Sequence, residues 1–521
     1  MRLSHWQLRS GSSRLLVNQI IESMMMKKMY RLNHILFLFL AVLTTSVVSA
    51  KKLPNIVVFL VDDMGLMDTS VPFLTDDKSQ PKAFPLNSKY LTPSMERLAK
   101  QGFRYSRFYA NSVCSPTRAS LMTGQSSARH RTTQWIRPTS VNGGKYDPED
   151  WNWKGLGKND VTLPRLLKSA GYHTIHCGKG HFGPFESEGE NPKSIGFDVN
   201  IAGGSIGRPE SYLGKKGYGH LAKKSTWAVP GLESYRGTDT HLSEALTIEI
   251  NKEIGRAVDA KNPFFAYMSH YAVHSPFDLD ERFVDDYKGM GLSGKALAYA
   301  TLIKGIDHSL GQMMDHLEKL GVAENTLILF LGDNGSDAPL GPIYKHASSA
   351  PLRGKKGTHY EGGMRVPFIA AWAKPSADAA IQKAFPIQVG VIQDSSIGTV
   401  HDVFPSLLEL ASVDAPKSHL IDGGSLWRTL AGKPAVNPQK FLMHFPHSHR
   451  SSYFTSYQEH HWKLVRHYMR DGKNQLELFN LNDDPYENEN LAGENRPMLS
   501  RMMSSMKREL LAVNAQFPKP K

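Results

Sequence analysis

Asn55-Ile56-Val57-Val58-Phe59-Leu60-Val61 runs without a break into Asp62-Asp63-Met64-Gly65. A short apolar run with no alternation suits a parallel strand covered on both faces. Two adjacent carboxylates at its carboxyl end are costly to bury unless a cation or hydrogen-bond donors satisfy them. In an open α/β sheet that end is also where ligands bind. Two readings of the acid pair stand open: a metal site, or one helix cap beside a solvated acid.

The same pattern recurs along the chain. Residues 171–177 form a strand-like run that ends in Gly178-Lys179-Gly180-His181, a cationic tip expected to be flexible among its glycines. Residues 264–269 are followed by His270, His274 and Pro276, and residues 326–331 by Gly332-Asp333-Asn334-Gly335. Residues 366–372 are the next strand. Between them lie helical patterns. Thr92 reads as an N-cap with Pro93 at the first helical position, and that helix stops at Gly102. Residues 163–170 form a short helix, and 295–320 carry apolar residues at helical spacing closed by Gly321. Asp402 caps a further helix whose apolar face holds Val403, Phe404, Leu407 and Leu408. Strands alternating with helices predict a doubly wound α/β domain over residues 51–435. From 436 to 521 the texture changes to short strands at 441–444, 453–457, 462–468 and 476–481, then an amphipathic helix at 498–511. This predicts a small α+β subdomain with an antiparallel sheet.

The 521 residues allow more than one domain and a large core. The formal charge is +13, and residues 1–50 hold six Lys/Arg against one acid, Glu22, so about +8 remains on the rest. Such a balance favours anionic ligands. Without a Lys/Arg-rich run or a nucleic-acid module, it points to sulfated or phosphorylated substrates, not to DNA or RNA. Lys27, Lys28 and Arg31 precede an apolar run at 35–43 and small residues ending Val48-Ser49-Ala50, the pattern of an export signal. Residues 1–50 are therefore read as a signal peptide with an upstream extension, and Met24, Met25, Met26 and Met29 are alternative candidates for the translation start. The apolar run is short for a membrane span, so no stable insertion is expected after cleavage, and an uncleaved anchor is the competing reading.

Cys114-Ser115-Pro116-Thr117-Arg118-Ala119-Ser120-Leu121-Met122-Thr123-Gly124 carries the other chemistry. If residues 119–122 open a helix, the thiol sits at its positive end with Arg118 one turn away. Such a place lowers a nucleophile's pKa and holds an anion. An exported chain with two cysteines, Cys114 and Cys177, also suggests a disulfide. The two readings exclude each other. Residues 66–91 look like an insert, and 125–160 like a polar loop whose Trp135, Trp151 and Trp153 either rim a sugar site or cover the loop.

In their order, these pieces resemble the type I sulfatases of the alkaline phosphatase superfamily. The resemblance covers nearly all of residues 54–495. It rests on Asp62 to Gly65, Thr92-Pro93, the Cys-x-Pro-x-Arg motif from Cys114, Gly171 to His181, His274-Ser275-Pro276, Gly332 to Gly335 and Lys356-Gly357-Thr358-His359-Tyr360-Glu361-Gly362-Gly363. Trp462-Lys463-Leu464 and Glu477 to Leu481 fit as well. It implies an alkaline-phosphatase-like α/β fold, a large mixed, mostly parallel sheet sandwiched by helices.

The resemblance also implies a site. Cys114 would be converted to formylglycine by a formylglycine-generating enzyme, and one calcium would be held by Asp62, Asp63, Asp333, Asn334 and the modified Cys114. An all-oxygen set suits calcium or magnesium alike. Arg118 and Lys179 would neutralise the aldehyde hydrate and the sulfate, Lys179, Lys356 and His274 would contact substrate, and His181 would face the formylglycine hydroxyl. Lys355 competes with Lys356 for its role, and His270 with His274. A hydroxyl of the hydrate attacks sulfur, an acid such as His274 protonates the departing oxygen, and loss of the second hydroxyl proton expels sulfate. The expected substrate is a sulfated carbohydrate. A phosphoester or phosphonate hydrolase of the same superfamily is the alternative, and a non-catalytic sulfoglycan-binding protein the second.

Overall fold

A computed structural model of the protein describes residues 19–29, 53–221, 225–340, 348–470 and 475–519. The apolar run and small-residue end of the expected export signal, 35–50, lie outside them. The chain divides into Met1–Leu53, in which residues 19–29 form an exposed helix, and Pro54–Lys521. Among the described residues, no helix is long and apolar enough to cross a membrane.

Within Pro54–Lys521 the main sheet has eight strands: β1 (Asn55–Val61), β2 (Phe103–Tyr105), β3 (His173–Gly178), β4 (Val199–Ile201), β5 (Phe264–Ser269), β6 (Thr326–Gly332), β7 (Phe368–Trp372) and β8 (Val391–Gln393). Their order across the sheet is β8-β2-β7-β6-β1-β5-β3-β4. Only β7 runs against the rest, pairing antiparallel with β6 and β2. The helices that matter here are α1 (Pro93–Gln101), α2 (Cys114–Thr123), α3 (Leu163–Ser169), α4 (Leu242–Asp259), α5 (Gly294–Lys319) and α6 (Val400–Ala411). Val57, Phe59 and Val61 pack with Met95 of α1, Leu246 and Ile250 of α4, and Ile303 and Leu310 of α5. Ile56, Val58 and Leu60 point the other way and are equally buried, because a strand alternates its side chains between faces. That two-sided burial is why β1 reads as an unbroken apolar run.

The C-terminal sheet is β9 (Lys440–Phe445), β10 (Phe454–Glu459), β11 (Trp462–His467) and β12 (Leu476–Asn480), paired antiparallel in sequence order. One face, with Leu442, Tyr457, Leu464 and Leu478, packs on Met502, Met506 and Leu510 of α7 (Arg496–Ala512). The other, with Met443, Phe454, Val465 and Phe479, packs on Tyr109, Val113, Met364 and Ile397. An antiparallel architecture is thereby covered on both sides.

Four local expectations need correction. Thr92 precedes α1 but its hydroxyl bonds Thr69 and Ser70; the helix N-terminus is capped by Asp307 of α5, which accepts the N–H of Ser94 (3.1 Å) and Met95 (2.8 Å). Asp402 does serve α6, yet as the third helical residue of a capping box with Thr399. Residues 66–91, read as an insert, contribute to the core through Leu66, Met67, Val71, Phe73, Leu74, Leu86 and Tyr90 and expose the hairpin tip at 76–82. Residues 352–363, whose Arg353, Lys355, Lys356, His359 and Glu361 read as a loop, instead lead into a short helix at Glu361–Met364.

Candidate active site

The register of the central strands assembles one cluster. Val61 is opposite Gly332, and Leu60 is opposite both Leu331 and Ser269, so the residues that follow each strand emerge side by side. Asp62 and Asp63 follow β1, Asp333 and Asn334 follow β6, Lys179 and His181 follow β3, and His274 lies beyond β5. Lys356 comes before β7, not after it. Because β7 is antiparallel, its leading loop lies at the edge where the parallel strands end. Close chain approach at that edge demands glycine. Gly178 has φ +97°, and a Cβ there would meet the Ser269 carbonyl oxygen at 1.9 Å. A Cβ at Gly65 would strike the Ser336 nitrogen at 2.5 Å.

Helix α2 brings in the thiol. It opens at Cys114 itself, not near Ala119, with Val113 as N-cap and Pro116 in the first turn, where a missing N–H costs nothing. All ten of its residues are buried. Cys114 and Cys177 are both free and buried, so the disulfide reading fails; the Cys177 S–H, on β3, contacts the Leu246 carbonyl instead.

Three carboxylates meet three cations here. Asp62, Asp63 and Asp333 place carboxylate oxygens within 4.8 Å of one another. Lys179 Nζ is 2.7 Å from Asp62, Lys356 Nζ is 2.6 Å from Asp63, and Arg118 bonds Asp333 through Nε (3.1 Å) and a terminal nitrogen (2.8 Å). The Arg118 guanidinium also donates to Ser269 Oγ (2.6 Å) and the Lys179 carbonyl (3.0 Å). Asn334 donates to Asp63 (2.9 Å). Asp62 Oδ1 and Asn334 Oδ1 are buried without a hydrogen-bond partner among the described residues. Such orphaned acceptors beside paired acids are what a hard cation satisfies. The donor set therefore fits a divalent ion with oxygen ligands.

Electrostatics follow from burial and pairing. Burial raises the Asp62 carboxyl well above its ordinary value despite Lys179. Burial acts on Asp63 too, but His274 and Lys356 outweigh it and hold its pKa low. Burial also pushes His274 down to about 4, so at neutral pH the lasting cation beside Asp63 is Lys356. The Cys114 thiol is pushed up, because burial outweighs Lys179 and Lys356. This reverses the lowered pKa expected from its helix position. The Lys179–His181 segment is likewise not a flexible tip: both side chains are almost wholly buried.

Backbone carbonyls decide how both histidines carry their protons. His181 Nε2 is 2.6 Å from the Ile136 carbonyl, which can only accept, so Nε2 holds the hydrogen. Nδ1 is left as an acceptor, 3.4 Å from Cys114 Sγ and 3.3 Å from Ser115 Oγ. His274 Nδ1 donates to the Ser275 carbonyl (2.8 Å), which leaves Nε2 facing Asp63 at 3.6 Å. Tyr212 steadies this segment by donating to the Tyr271 and His274 carbonyls.

The open alternatives resolve spatially. His270 is buried away from the cluster, bonded to Ser309 and packed on Phe59, while Lys355 is half exposed beside Asp337. His274 and Lys356 are the pair in the cluster. His220 is exposed and bonds its own loop, whereas Ser205 is buried with an unpartnered hydroxyl among the described residues and lines a groove with Asn200 and Ile206. That groove adjoins the site, since Gly204 accepts the His181 N–H. Trp151 packs on His447 inside the protein, while Trp153 lines a surface cleft with Phe185. Sequence reasoning missed Ser269, Ser115 and Tyr212. Ser269 and Tyr212 are single hydroxyls with no motif to mark them, and Ser115 is an unspecified position of the Cys-x-Pro-x-Arg motif.

The chain matches the Sulfatase family over residues 54–413 and the family of N-sulphoglucosamine sulphohydrolase C-terminal regions over 355–516. N-acetylgalactosamine-6-sulfatase of Mus musculus is 30% identical over 410 residues, which cover 76% of this chain and 69% of that protein. A sulfatase of Formosa agariphila is 27% identical over 508 residues, with 86% of each chain covered. In structure, Ps i-CgsB in complex with k-i-k-neocarrahexaose is similar with a TM-score of 0.68, at 22% identity, covering 88% of this chain and 93% of that one.

Proposed function

The chain belongs to the sulfatase family and is a sulfuric ester hydrolase, and from that premise we propose that it removes sulfate from a sulfated carbohydrate at the Asp62–Asp63–Asp333 edge. The observation that carries this reading is the pair of orphaned acceptors, Asp62 Oδ1 and Asn334 Oδ1, set among three carboxylates next to Cys114. In our reading Asp62, Asp63, Asp333, Asn334 and a formylglycine made from Cys114 hold a calcium ion. The ion would supply charge screening and the hydrated aldehyde the nucleophile. Cys114 is 3% exposed, so the maturating enzyme must reach it before the fold closes.

The remaining residues divide the work. Three carboxylates and three cations cancel, so a divalent ion leaves the edge with a net charge of about +2, ready for an anionic sulfate ester. Arg118 is committed to Asp333, Ser269 and the Lys179 carbonyl and fixes the frame. Lys179 and Lys356 are the donors that turn to sulfate oxygens. His274, with Nδ1 tied to a carbonyl, presents Nε2 to the departing oxygen as general acid. Its pKa of about 4 rises once a negative ester lies beside it. His181, neutral because burial lowers its pKa, accepts a proton at Nδ1 from the side chain at position 114.

Kinship with N-acetylgalactosamine-6-sulfatase and likeness to Ps i-CgsB bound to k-i-k-neocarrahexaose support a sugar substrate. Residues 1–50 support export, and residues 51–435 and 436–521 are proposed as catalytic domain and C-terminal subdomain. The test has two arms. Mass spectrometry of the Cys114 peptide from protein made with its maturating enzyme should find the aldehyde. Sulfate release from defined sulfated oligosaccharides should exceed phosphate release from aryl phosphate at equal concentration. An intact thiol, or dominant phosphate cleavage, defeats the reading.

A further inference from the structure

A second buried cluster lies between the Lys356 loop and the C-terminal sheet. His359 is three residues after Lys356, His467 ends β11, and Glu477 stands on β12. Val465 pairs with Glu477 across the strands. His467, two residues further along, shares that face because side chains alternate. The loop lays His359 over the same spot, with its ring 4.7 Å from that of His467 and nearly perpendicular.

The donor atoms converge on one carboxylate oxygen. His467 Nε2 is 2.6 Å and His359 Nε2 is 3.4 Å from Glu477 Oε1, and the three ligand atoms all lie within 4.8 Å of one another. The other carboxylate oxygen accepts from the Tyr360 hydroxyl (3.0 Å), a bond that fixes the carboxyl group. The His359 side chain is 2% exposed, and neither of its nitrogens has a hydrogen-bond partner among the described residues. His467 Nδ1 is equally unpartnered among them. A buried imidazole aimed at a carboxylate and a second histidine, with neither nitrogen in a well-formed hydrogen bond, needs a reason. The 3.4 Å between His359 Nε2 and Glu477 Oε1 matches the edge of a tetrahedron built on metal bonds of about 2.0–2.1 Å, and the His467–Glu477 pair, now at the 2.6 Å of a hydrogen bond, would widen to match it.

We propose that His359, His467 and Glu477 form a zinc-binding site, separate from the all-oxygen edge described above. Two imidazoles and one carboxylate are borderline ligands that suit zinc better than calcium or magnesium. Arg470, whose half-exposed side chain stands 3.4 Å from His467 Nε2 and 3.7 Å from Glu477 Oε1, is the cation that a bound metal would displace. A metal there ties the loop that carries Lys356 to β11 and β12. It is a clamp on the catalytic loop.

The experiment uses the full chain, stripped with a chelator and titrated with zinc, then with cobalt as a spectroscopic stand-in. With the oxygen edge refilled with calcium, one zinc equivalent should bind, cobalt should give the visible absorption of a tetrahedral site, and zinc should raise the melting temperature. The same binding should persist in Asp333→Asn, which alters only the oxygen edge. His359→Ala and His467→Gln should each weaken zinc by at least about 10–100-fold and lose the thermal shift. Circular dichroism of the stripped proteins checks their fold, and Glu477→Gln, which keeps size and shape, replaces either histidine variant that fails it. No zinc uptake by the wild-type chain overturns the proposal, as does uptake that is unchanged in the folded variants.

Discussion

Two of the buried charge clusters among the described residues, one at the strand edge and one around Lys463, differ in what their atoms lack. At the strand edge, Asp62, Asp63 and Asp333 are matched one to one by Lys179, Lys356 and Arg118, yet two acceptor oxygens stay unsatisfied. Beneath the C-terminal sheet, Lys463 is shared between Glu361 (3.0 Å) and Glu487 (2.7 Å), and Glu361 also accepts from Tyr109 (2.8 Å). Glu487 further accepts the Glu361 N–H (2.7 Å). Glu487 Oε1 also lacks a well-aligned hydrogen bond but touches Lys463 Nζ at 2.7 Å, whereas Asp62 Oδ1 is 3.7 Å from Arg118, so the second cluster is closed on itself. Burial raises Glu487, while Lys463 and Arg365 outweigh burial to lower Glu361. The first is poised for further ligands and reaches the surface through His274, whose side chain is 18% exposed. Burial of charge alone therefore marks neither function nor structure. Unsatisfied atoms with a way in mark function.

That contrast can be broken by substitution. The largest effect is expected at Cys114. Cys114→Ala should lower sulfate release about 10⁴-fold or more while leaving the melting temperature near wild type. A variant that melts far earlier would make Cys114 a packing residue. Lys463→Met should act in the opposite sense, costing about 3–5 kcal/mol because two buried carboxylates lose their cation. Denaturant unfolding reads that loss, and turnover per folded molecule should be nearly unchanged. A large fall in turnover would link the two clusters.

A smaller effect separates neighbours at the edge. Lys356→Ala should cost about 10²–10³-fold in kcat/KM, whereas Lys355→Ala, beside Asp337 at the surface, should stay within about 3-fold. Equal losses would erase the distinction. The smallest effect sharpens the picture of the C-terminal sheet. Burial pushes His444 down to about 4, where it bridges Thr455 and the Gln516 carbonyl. Its unfolded value is about 6.5, so between the two the unfolded chain binds the extra proton. The stability it contributes is present above about pH 6.5 and lost as pH falls toward 4. The melting temperature should drop less between pH 7 and pH 5 in His444→Gln than in wild type, and an equal drop would assign the acid sensitivity elsewhere.

How far the sequence reached depends on the range of the forces involved. β1 was legible because two-sided burial writes an unbroken apolar run into six adjacent residues, Ile56 to Val61. The α1 cap was not, because Asp307 lies more than two hundred positions from the N–H groups it satisfies. Thr92 looked like a cap since nothing local revealed that its hydroxyl was engaged by Thr69 and Ser70. The raised thiol of Cys114 escaped for a related reason. Helix position is local, but desolvation is a property of everything packed around it.

By itself the chain determined the strand-end motifs, their order and the residue types they bring, since Asp62-Asp63, Lys179, His274 and Asp333-Asn334 each follow a recognisable strand. Only the tertiary structure decided which of Lys355 and Lys356, or of His270 and His274, joins the cluster, because adjacent side chains diverge according to the direction of the strand beside them. It alone paired each acid with its cation, showed which oxygens were left over, and brought His359 to His467 and Glu477. Those outcomes depend on packing between distant segments, and one residue's neighbours in sequence carry no record of its neighbours in space.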